Sequence, residues 1–568
     1  MPTELDKTLD SIMDTLTAPG GAAETVPFVR NGVTMPELKN APPSLVHYFA
    51  HFCHEHGDAD FLVDGDIRLT FAETYAAARN AAAGLIVNHG VQRGDRVGIA
   101  ARNSSNWIVA YMGILIAGGC ATLLNGFSSG EELADQLELV GCKLLLADAQ
   151  RAKRLDGQSH GAKIVLFEHD STPADGLSAI WGDASSASFP EVGPDDYATI
   201  LYTSGSTGKS KGAWSDHRGV VSGAMNYAMQ SLMAFTYLTA GSESPDAPPP
   251  QACALVAVPL FHVTGEVPIY LQSFALGRKL VLMPRWDAGE ALRLMEKEKV
   301  TYFGAVPLMS YEIATHPDRA KYDLSSCTGF AAGGAPRPVD HVTKIRDAFP
   351  DGFPLLGYGL TETNGVGCAN FNENYLAKPS STGKPSRPLV DLAILDDAGN
   401  KLAQGQVGEI SIRSVCNFVG YWNNDEATSA AFTKDMYFRT GDLGKLDEDG
   451  YLYIVDRKKD IIIRGGENIT CIEVEEAIYA HDAVAECSVF GIPDERYGEV
   501  PAAVFYLKPG HGLTAADLRE FLLASIASFK VPLEGHIWQS DQALPRLGTQ
   551  KVDKRTVRKM FAGDLIAA

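Results

Sequence analysis

No two of the nine cysteines stand in a C-x-x-C arrangement, and they are odd in number and scattered. A zinc ribbon and a disulfide framework are thereby excluded, and a reducing compartment, the cytosol, is the expected location. Excess basic charge is missing as well: 49 Lys and Arg against 70 Asp and Glu leave a formal net charge of −21. That balance excludes a general nucleic-acid or anionic-membrane surface, so an anionic ligand needs a local basic pocket. The start, Met1 to Asp10, has neither the basic flank nor the apolar core of a secretory signal, and the final D-L-I-A-A is not a peroxisomal tripeptide. Neither end is expected to act as a targeting signal. One uncharged apolar run, Trp107 to Leu124, reaches the lower length limit of a membrane span, but Gly113, Gly118, Gly119 and Thr122 interrupt it. Asn106 and Asn125 bound it without basic anchors, so a buried helix leading into a buried strand is expected, and no transmembrane segment.

What is present is an ordinary globular composition, 45% hydrophobic and 21% charged, in a 568-residue chain too long for one compact core. A large domain with a smaller one is the natural partition. Residues 1 to about 45 are polar and punctuated by Gly20, Gly21, Pro36, Pro42 and Pro43, which predicts a loosely held arm. His51, Cys53, His54 and His56 crowd together, but no further ligand follows at metal spacing and a plain surface helix is expected. From Phe61 to Leu146 strand-like runs alternate with helix-like ones, the pattern of parallel βαβ units in an α/β fold. The proline-rich stretch Ala240 to Gln251 reads as a surface insertion. Beyond Arg457 come a charged run, a turn at Gly465 and Gly466, a helix near Ile472 to Tyr479, two strands and a further helix near Ala515 to Leu523. These predict an independent lid of roughly 110 residues.

The stretch Tyr202 to Gly212, Y-T-S-G-S-T-G-K-S-K-G, follows the apolar run Tyr197 to Tyr202, and a helix-like segment begins near His217. A strand that empties into glycines, hydroxyls and two lysines is a phosphate-handling loop. Gly205, Gly208 and Gly212 let the backbone turn its N–H groups toward an anion; Thr203, Ser204, Ser206 and Thr207 add neutral donors, and Lys209 and Lys211 add charge. Spacing sets a Walker A loop aside, because the glycine it needs five residues before Gly208 is Thr203. Leu255 to Gly265, L-V-A-V-P-L-F-H-V-T-G, is predicted as a strand ending at Phe261 and His262. Gly329 to Pro336, G-F-A-A-G-G-A-P, and Gly357 to Glu362, G-Y-G-L-T-E, are predicted as adjacent strand ends at the carboxyl edge of a sheet, where open α/β folds place ligands. Lys554, Arg555, Arg558 and Lys559 read as a solvated helix end.

The Tyr202 to Gly212 run resembles the signature of the adenylate-forming superfamily, which includes acyl-CoA synthetases, luciferases and the adenylation domains of peptide synthetases. With the P-L-F-H motif, the two glycine-bearing strand ends, Y-F-R-T-G-D followed by Y-L-Y-I-V-D-R-K-K-D-I-I-I, and L-P-R-L-G-T-Q-K, the likeness spans Tyr75 to Arg558 in family order. It implies a large multi-subdomain α/β domain, residues 46–457 after an arm of 1–45, and a small mobile α+β lid, 458–568. The implied activity is that of an AMP-forming acyl-CoA synthetase: a hydrophobic acid, fatty or aryl, reacts with ATP and the acyl group passes to CoA after lid rotation. An amine or a carrier-protein thiol is the alternative acceptor. A monomer or homodimer needing ATP, Mg²⁺ and coenzyme A follows.

The resemblance also assigns residues. Thr203, Ser204, Gly205, Ser206, Thr207, Gly208, Lys209 and Lys211 would hold the phosphates. Gly333, Gly334, Ala335, Pro336, Gly357 and Gly359 would border the adenine, with Tyr358 on its face, and Thr361 would lie near the α-phosphate. Glu362, with Thr207, would hold magnesium, and a carboxylate beside a triphosphate suits that ion. Asp442, which can accept both hydrogens of a diol, and Arg457 would bind the ribose. His262 would flank the acyl tunnel, Lys459 would be the hinge, and Gly465 and Gly466 would face the pantetheine arm. Lys551 would reach the carboxylate and the α-phosphate, although Gln550 stands where the family usually has glycine.

Overall fold

The computed structural model describes residues 3–204, 210–240, 250–334, 339–350, 352–547 and 551–566. Gly205, Ser206, Thr207, Gly208, Lys209, Ala335 and Pro336 lie outside these, as do Gln550 and most of the proline-rich stretch. Contacts divide the chain into two units: Met1–Arg337, His341–Leu392 and Ile412–Phe438, and then Pro338–Asp340, Ala393–Ser411 and Arg439–Ala568. The expected boundary after Arg457 falls inside the second.

The first unit is α/β, as the alternation predicts. Among the described residues one sheet has seven strands, ordered Gly420–Tyr421, Ser210–Asp216, Tyr197–Ser204, Cys120–Leu123, Arg96–Ala100, Leu144–Ala147, Lys163–Leu166. A second, nine-stranded, runs Lys384–Pro385, Cys368–Phe371, Phe353–Tyr358, Gly329–Gly333, Tyr302–Ala305, Cys253–Val256, Lys279–Leu282, Asp60–Asp64, Ile67–Thr70. Every residue of Cys120–Leu123 and Leu144–Ala147 is buried, which is why they read as unbroken apolar runs.

The Trp107 run resolves as read, into the helix Ser105–Ile116 and the strand Cys120–Leu123. The helix lies against the alanine face of Phe71–His89: a Cβ on Gly113 would stand 3.0 Å from Ala81 Cβ and 3.3 Å from the Ala78 carbonyl oxygen. A helix buried along its whole length with so close a neighbour is a core helix. Among the described residues no helix is long and apolar enough to cross a membrane.

Residues 3–45 are not a loose arm. Thr3 and Asp6 form a capping box on the helix Glu4–Thr17, and Thr25–Arg30 pairs with Val33–Leu38 as an antiparallel hairpin. Thr3 donates to Asn374 Oδ1 at 2.6 Å, Lys384 Nζ lies 3.1 Å from Asp6 Oδ1, and Arg387 pairs with Asp14 at 2.7 Å. The polar side chains that suggested looseness are committed to caps and ion pairs. The predicted strand Leu255 to Gly265 also stops short, at Val256. Proline at 259 cannot continue a ladder, and His262 instead caps the helical turn Val263–Gly265.

Four strands, Asp391–Leu395, Gly408–Arg413, Phe438–Leu446 and Leu452–Arg457, most of whose residues belong to the second unit, form one sheet. Another joins Glu467–Ile469, Ile462–Arg464, Gly498–Leu507 and Val484–Asp494, with Ile537–Ser540 paired to Gly498–Leu507. The helices Cys471–Tyr479 and Ala515–Ser525 close its core through Val474, Ile478, Leu518 and Leu522. Lys554 is not a solvated helix end: it pairs with Glu475 at 2.8 Å and donates to the Val489 carbonyl. Burial opposes its charge, but the Glu475 carboxylate more than compensates and raises its pKa.

Candidate active site

The expected phosphate signature is flanked by two antiparallel strands. Tyr197–Ser204 carries Thr203 and Ser204, and the chain returns as Ser210–Asp216 with Lys211 in register opposite Thr203. Lys211 and Gly212, read as loop, therefore belong to a strand. Gly212 is needed for packing, since a Cβ there would lie 3.1 Å from Ile200 Cγ2.

The two glycine-bearing strands are parallel neighbours, as predicted, with Gly333 opposite Gly357. A Cβ on Gly357 would meet nothing nearer than 4.0 Å, so space remains in front of it. Gly334 adopts φ +77°. Gly359 is bare for another reason: a Cβ would stand 1.9 Å from the Gly365 carbonyl oxygen, so it serves a crossing of backbones rather than a ligand. Tyr358 ends its strand, largely buried.

Thr361 opens the 3₁₀ turn Thr361–Thr363, which carries Glu362 and ends at Asn364 with φ 49°. Glu362 is 8% exposed, and its Oε1 accepts the Tyr421 hydroxyl at 2.8 Å. The Tyr421 ring lies 4.7 Å from the Lys211 ammonium. One aromatic side chain thus ties the hairpin's lysine to the buried carboxylate. Burial, then the Glu362 charge, push the Tyr421 hydroxyl's pKa up, so it remains a donor. Sequence reasoning missed Tyr421; its one signal is an aromatic pair after glycine, Gly420-Tyr421-Trp422. His262 is placed by its cap, Nδ1 accepting the Thr264 N–H at 3.2 Å, and Phe261 packs edge-on to Phe127 at 6.0 Å.

In the second unit, Asp442 and Arg457 are register partners on adjacent strands, with Nε 3.5 Å from Oδ1. Asp442 is 7% exposed and its N–H donates to Thr440 Oγ1, whose own hydroxyl donates to the Ile410 carbonyl at 2.7 Å. The Arg457 side chain stays 54% exposed. Lys459 is exposed in the turn between the strands ending at Arg457 and starting at Ile462. Gly465 and Gly466, with φ +59° and +94°, make the turn into Glu467–Ile469 that the sequence predicts.

The Lys551 carbonyl accepts the Leu547 N–H, next to Arg546, which pairs with Glu486 at 2.7 Å. Burial first, and then the like charge of Arg457, push the Lys551 pKa down to about 8, with Asp442 opposing. The lysine therefore belongs to the same electrostatic cluster as the two predicted ribose residues.

Residues 49–422 match the family model described as AMP-binding enzyme, and residues 473–551 match the AMP-binding enzyme C-terminal domain. The chain is 32% identical over 523 residues to a Bacillus subtilis protein named long-chain-fatty-acid–CoA ligase, covering 86% of this chain and 89% of the relative. It is 32% identical over 501 residues to a feruloyl-CoA synthase of Amycolatopsis sp., covering 88% and 95%. Its structure matches that of o-succinylbenzoate CoA synthetase from Bacillus subtilis, in complex with the acyl-adenylate intermediate OSB-AMP, with a TM-score of 0.76 at 27% identity over 91% of this chain and 98% of that one. The chain belongs to the AMP-binding enzymes, the adenylate-forming superfamily that its sequence resembles.

Proposed function

We propose that this enzyme is an AMP-forming acyl-CoA synthetase for a hydrophobic carboxylic acid, fatty or aryl. The observation that carries the reading is Tyr421, which gathers Lys211 and Glu362 beside the strands that flank the phosphate signature. A carboxylate and a triphosphate repel one another, so donors and cations must precede the chemistry. Thr203, Ser204 and Lys211, with Gly205, Ser206, Thr207, Gly208 and Lys209 between them in sequence, would bind the phosphates, and Lys551 would stabilise charge growing on the α-phosphoryl oxygens. A carboxylate oxygen bonds to the α-phosphorus, pyrophosphate leaves, and an acyl-adenylate remains; the CoA thiol then bonds to the carbonyl carbon and AMP leaves. The relatives named as ligases of fatty and aryl acids support this substrate class.

Gly333, Gly334 and Gly357, the last with no atom nearer than 4.0 Å to a Cβ placed on it, are the proposed adenine border with Tyr358, and Asp442 and Arg457 the ribose contacts. Magnesium fits Glu362, a buried carboxylate whose Oε1 accepts from Tyr421, and the described residues hold no cluster of three His, Cys, Asp or Glu. One carboxylate with substrate phosphates and water is that ion's ordinary environment, and when bound it would offset triphosphate charge. Residues 458–568 would act as the lid, turning at the exposed Lys459, with Gly465 and Gly466 toward pantetheine. A cytosolic location suits nine cysteines that are all free and buried. Incubation with ATP, magnesium, CoA and a panel of acids tests the reading: acyl-AMP and acyl-CoA from hydrophobic acids support it, and phosphate release without either product overturns it.

A further inference from the structure

Where the phosphate hairpin ends and the helix His217–Thr239 begins, three consecutive residues are each held by the N-terminal segment. Asp216 is ion-paired with Arg30, their side chains 4% and 15% exposed. The Leu45 N–H donates to His217 Nδ1 at 3.1 Å. Arg218 pairs with Glu37 at 2.5 Å and sets its guanidinium 4.3 Å from the centre of the Phe28 ring. The same junction also reaches the other half of the first unit's site. Asp216 Oδ1 accepts the Gly219 N–H at 2.8 Å, and Asn364, two residues after Glu362, donates to Ser215 Oγ at 3.1 Å and to the Cys416 carbonyl at 2.8 Å.

Capping a helix does not require this. Asp287 caps Ala288–Glu298 through its own Oδ1 in an exposed setting, with no distant arginine needed. Asp216, by contrast, is buried, and a buried carboxylate holds its charge only with a partner. Burial pushes its pKa up, and Arg30 works against that shift. The partner comes from a hairpin 186 residues earlier in the chain. The pose of the strand carrying Lys211 therefore depends on an element far from it in sequence.

We infer that Arg30 is a positioning residue for nucleotide binding: by fixing Asp216 it sets the hairpin that carries Lys211 and, through Ser215 and Asn364, the turn that carries Glu362. This rests on the nucleotide-binding role proposed above. The N-terminal hairpin is then a brace for the site rather than an appendage to it.

The test uses the full chain with Arg30→Ala, Arg30→Lys and, as a milder loss of charge, Arg30→Gln. Amide hydrogen exchange is followed over residues 210–219 and 361–366, and Mg·ATP affinity is measured by calorimetry. Arg30→Ala is expected to speed exchange in both segments and to weaken ATP binding about five- to tenfold. The maximal adenylation rate at saturating ATP stays within about twofold, and Arg30→Lys restores most of the affinity. If Arg30→Ala does not fold, Arg30→Gln, which keeps a side-chain donor but not the charge, shows the same pattern at smaller amplitude. A drop in melting temperature with unchanged ATP affinity and unchanged exchange over 361–366 overturns the inference and leaves Arg30 a merely structural residue. Wild-type protein that binds no ATP overturns the nucleotide role itself, whatever the exchange data show.

Discussion

Tyr421 donates its hydroxyl to Glu362 Oε1 at 2.8 Å while its ring lies 4.7 Å from the Lys211 ammonium. Neither partner is adjacent to it in sequence, so the contact is a product of the fold: a two-residue strand, Gly420–Tyr421, pairs with Ser210–Asp216, the strand that carries Lys211.

Tyr421→Phe keeps the ring under Lys211 and deletes one hydrogen bond to a buried carboxylate. Such a bond is worth about 1.5 to 3 kcal/mol, so kcat/KM for ATP in acid-dependent pyrophosphate exchange should fall roughly 10- to 150-fold. Thermal stability should fall as well, because the buried Glu362 carboxylate loses a donor. An unchanged kcat/KM would mean that Tyr421 does not orient Glu362 for the reaction.

The pH profile should report Lys551. Its ammonium loses the proton near pH 8, so adenylate formation should fall as pH rises through about 8. Stability moves the opposite way: with an ordinary value of 10.5, the unfolded chain binds the proton more readily than the folded one between about 8 and 10.5. Lys551's contribution to stability therefore grows as pH rises across that window. Pyrophosphate exchange without CoA and urea unfolding over the same pH series check the two signs. In Lys551→Arg, whose guanidinium stays charged, the alkaline fall in rate should disappear.

Glu266 sits wholly buried just after the His262 cap, with Oε1 accepting the Tyr111 hydroxyl at 2.8 Å. Burial raises its pKa to about 8 from an ordinary 4.5, and the Tyr111 bond only partly offsets this. The folded state holds a proton there that the unfolded state releases. The stability it contributes is full below 4.5 and is lost as pH rises through about 8. Glu266→Gln should gain stability relative to wild type at pH 9 compared with pH 5. Equal urea-midpoint differences at both pH values would contradict this.

The α/β class, the βαβ alternation, the helices and strands of the small C-terminal domain and the adjacency of Gly333 and Gly357 were legible because each rests on local patterning of apolar residues and glycine. The hairpin geometry of Lys211 and Gly212 was not, since a glycine-rich loop gives the same signal whether the chain returns as a strand or continues into a helix. The N-terminal segment was misread for a related reason: Arg30, Glu37, Asp6 and Asp14 look solvated until their partners Asp216, Arg218, Lys384 and Arg387 are known. Pairings across such sequence separations leave no local trace, and Tyr421 was missed for the same reason. Gly359 shows the opposite limit, a glycine legible as special whose cause, the Gly365 carbonyl, was not.

The most direct test separates the two half-reactions in Lys551→Ala. Removing one charged donor to the α-phosphoryl oxygens should lower acyl-adenylate formation by about 10² to 10³. Conversion of supplied acyl-adenylate and CoA to the thioester should remain close to the wild-type rate. Equal loss of both half-reactions, or an adenylation rate that does not fall, would contradict the assignment of Lys551 to the first step.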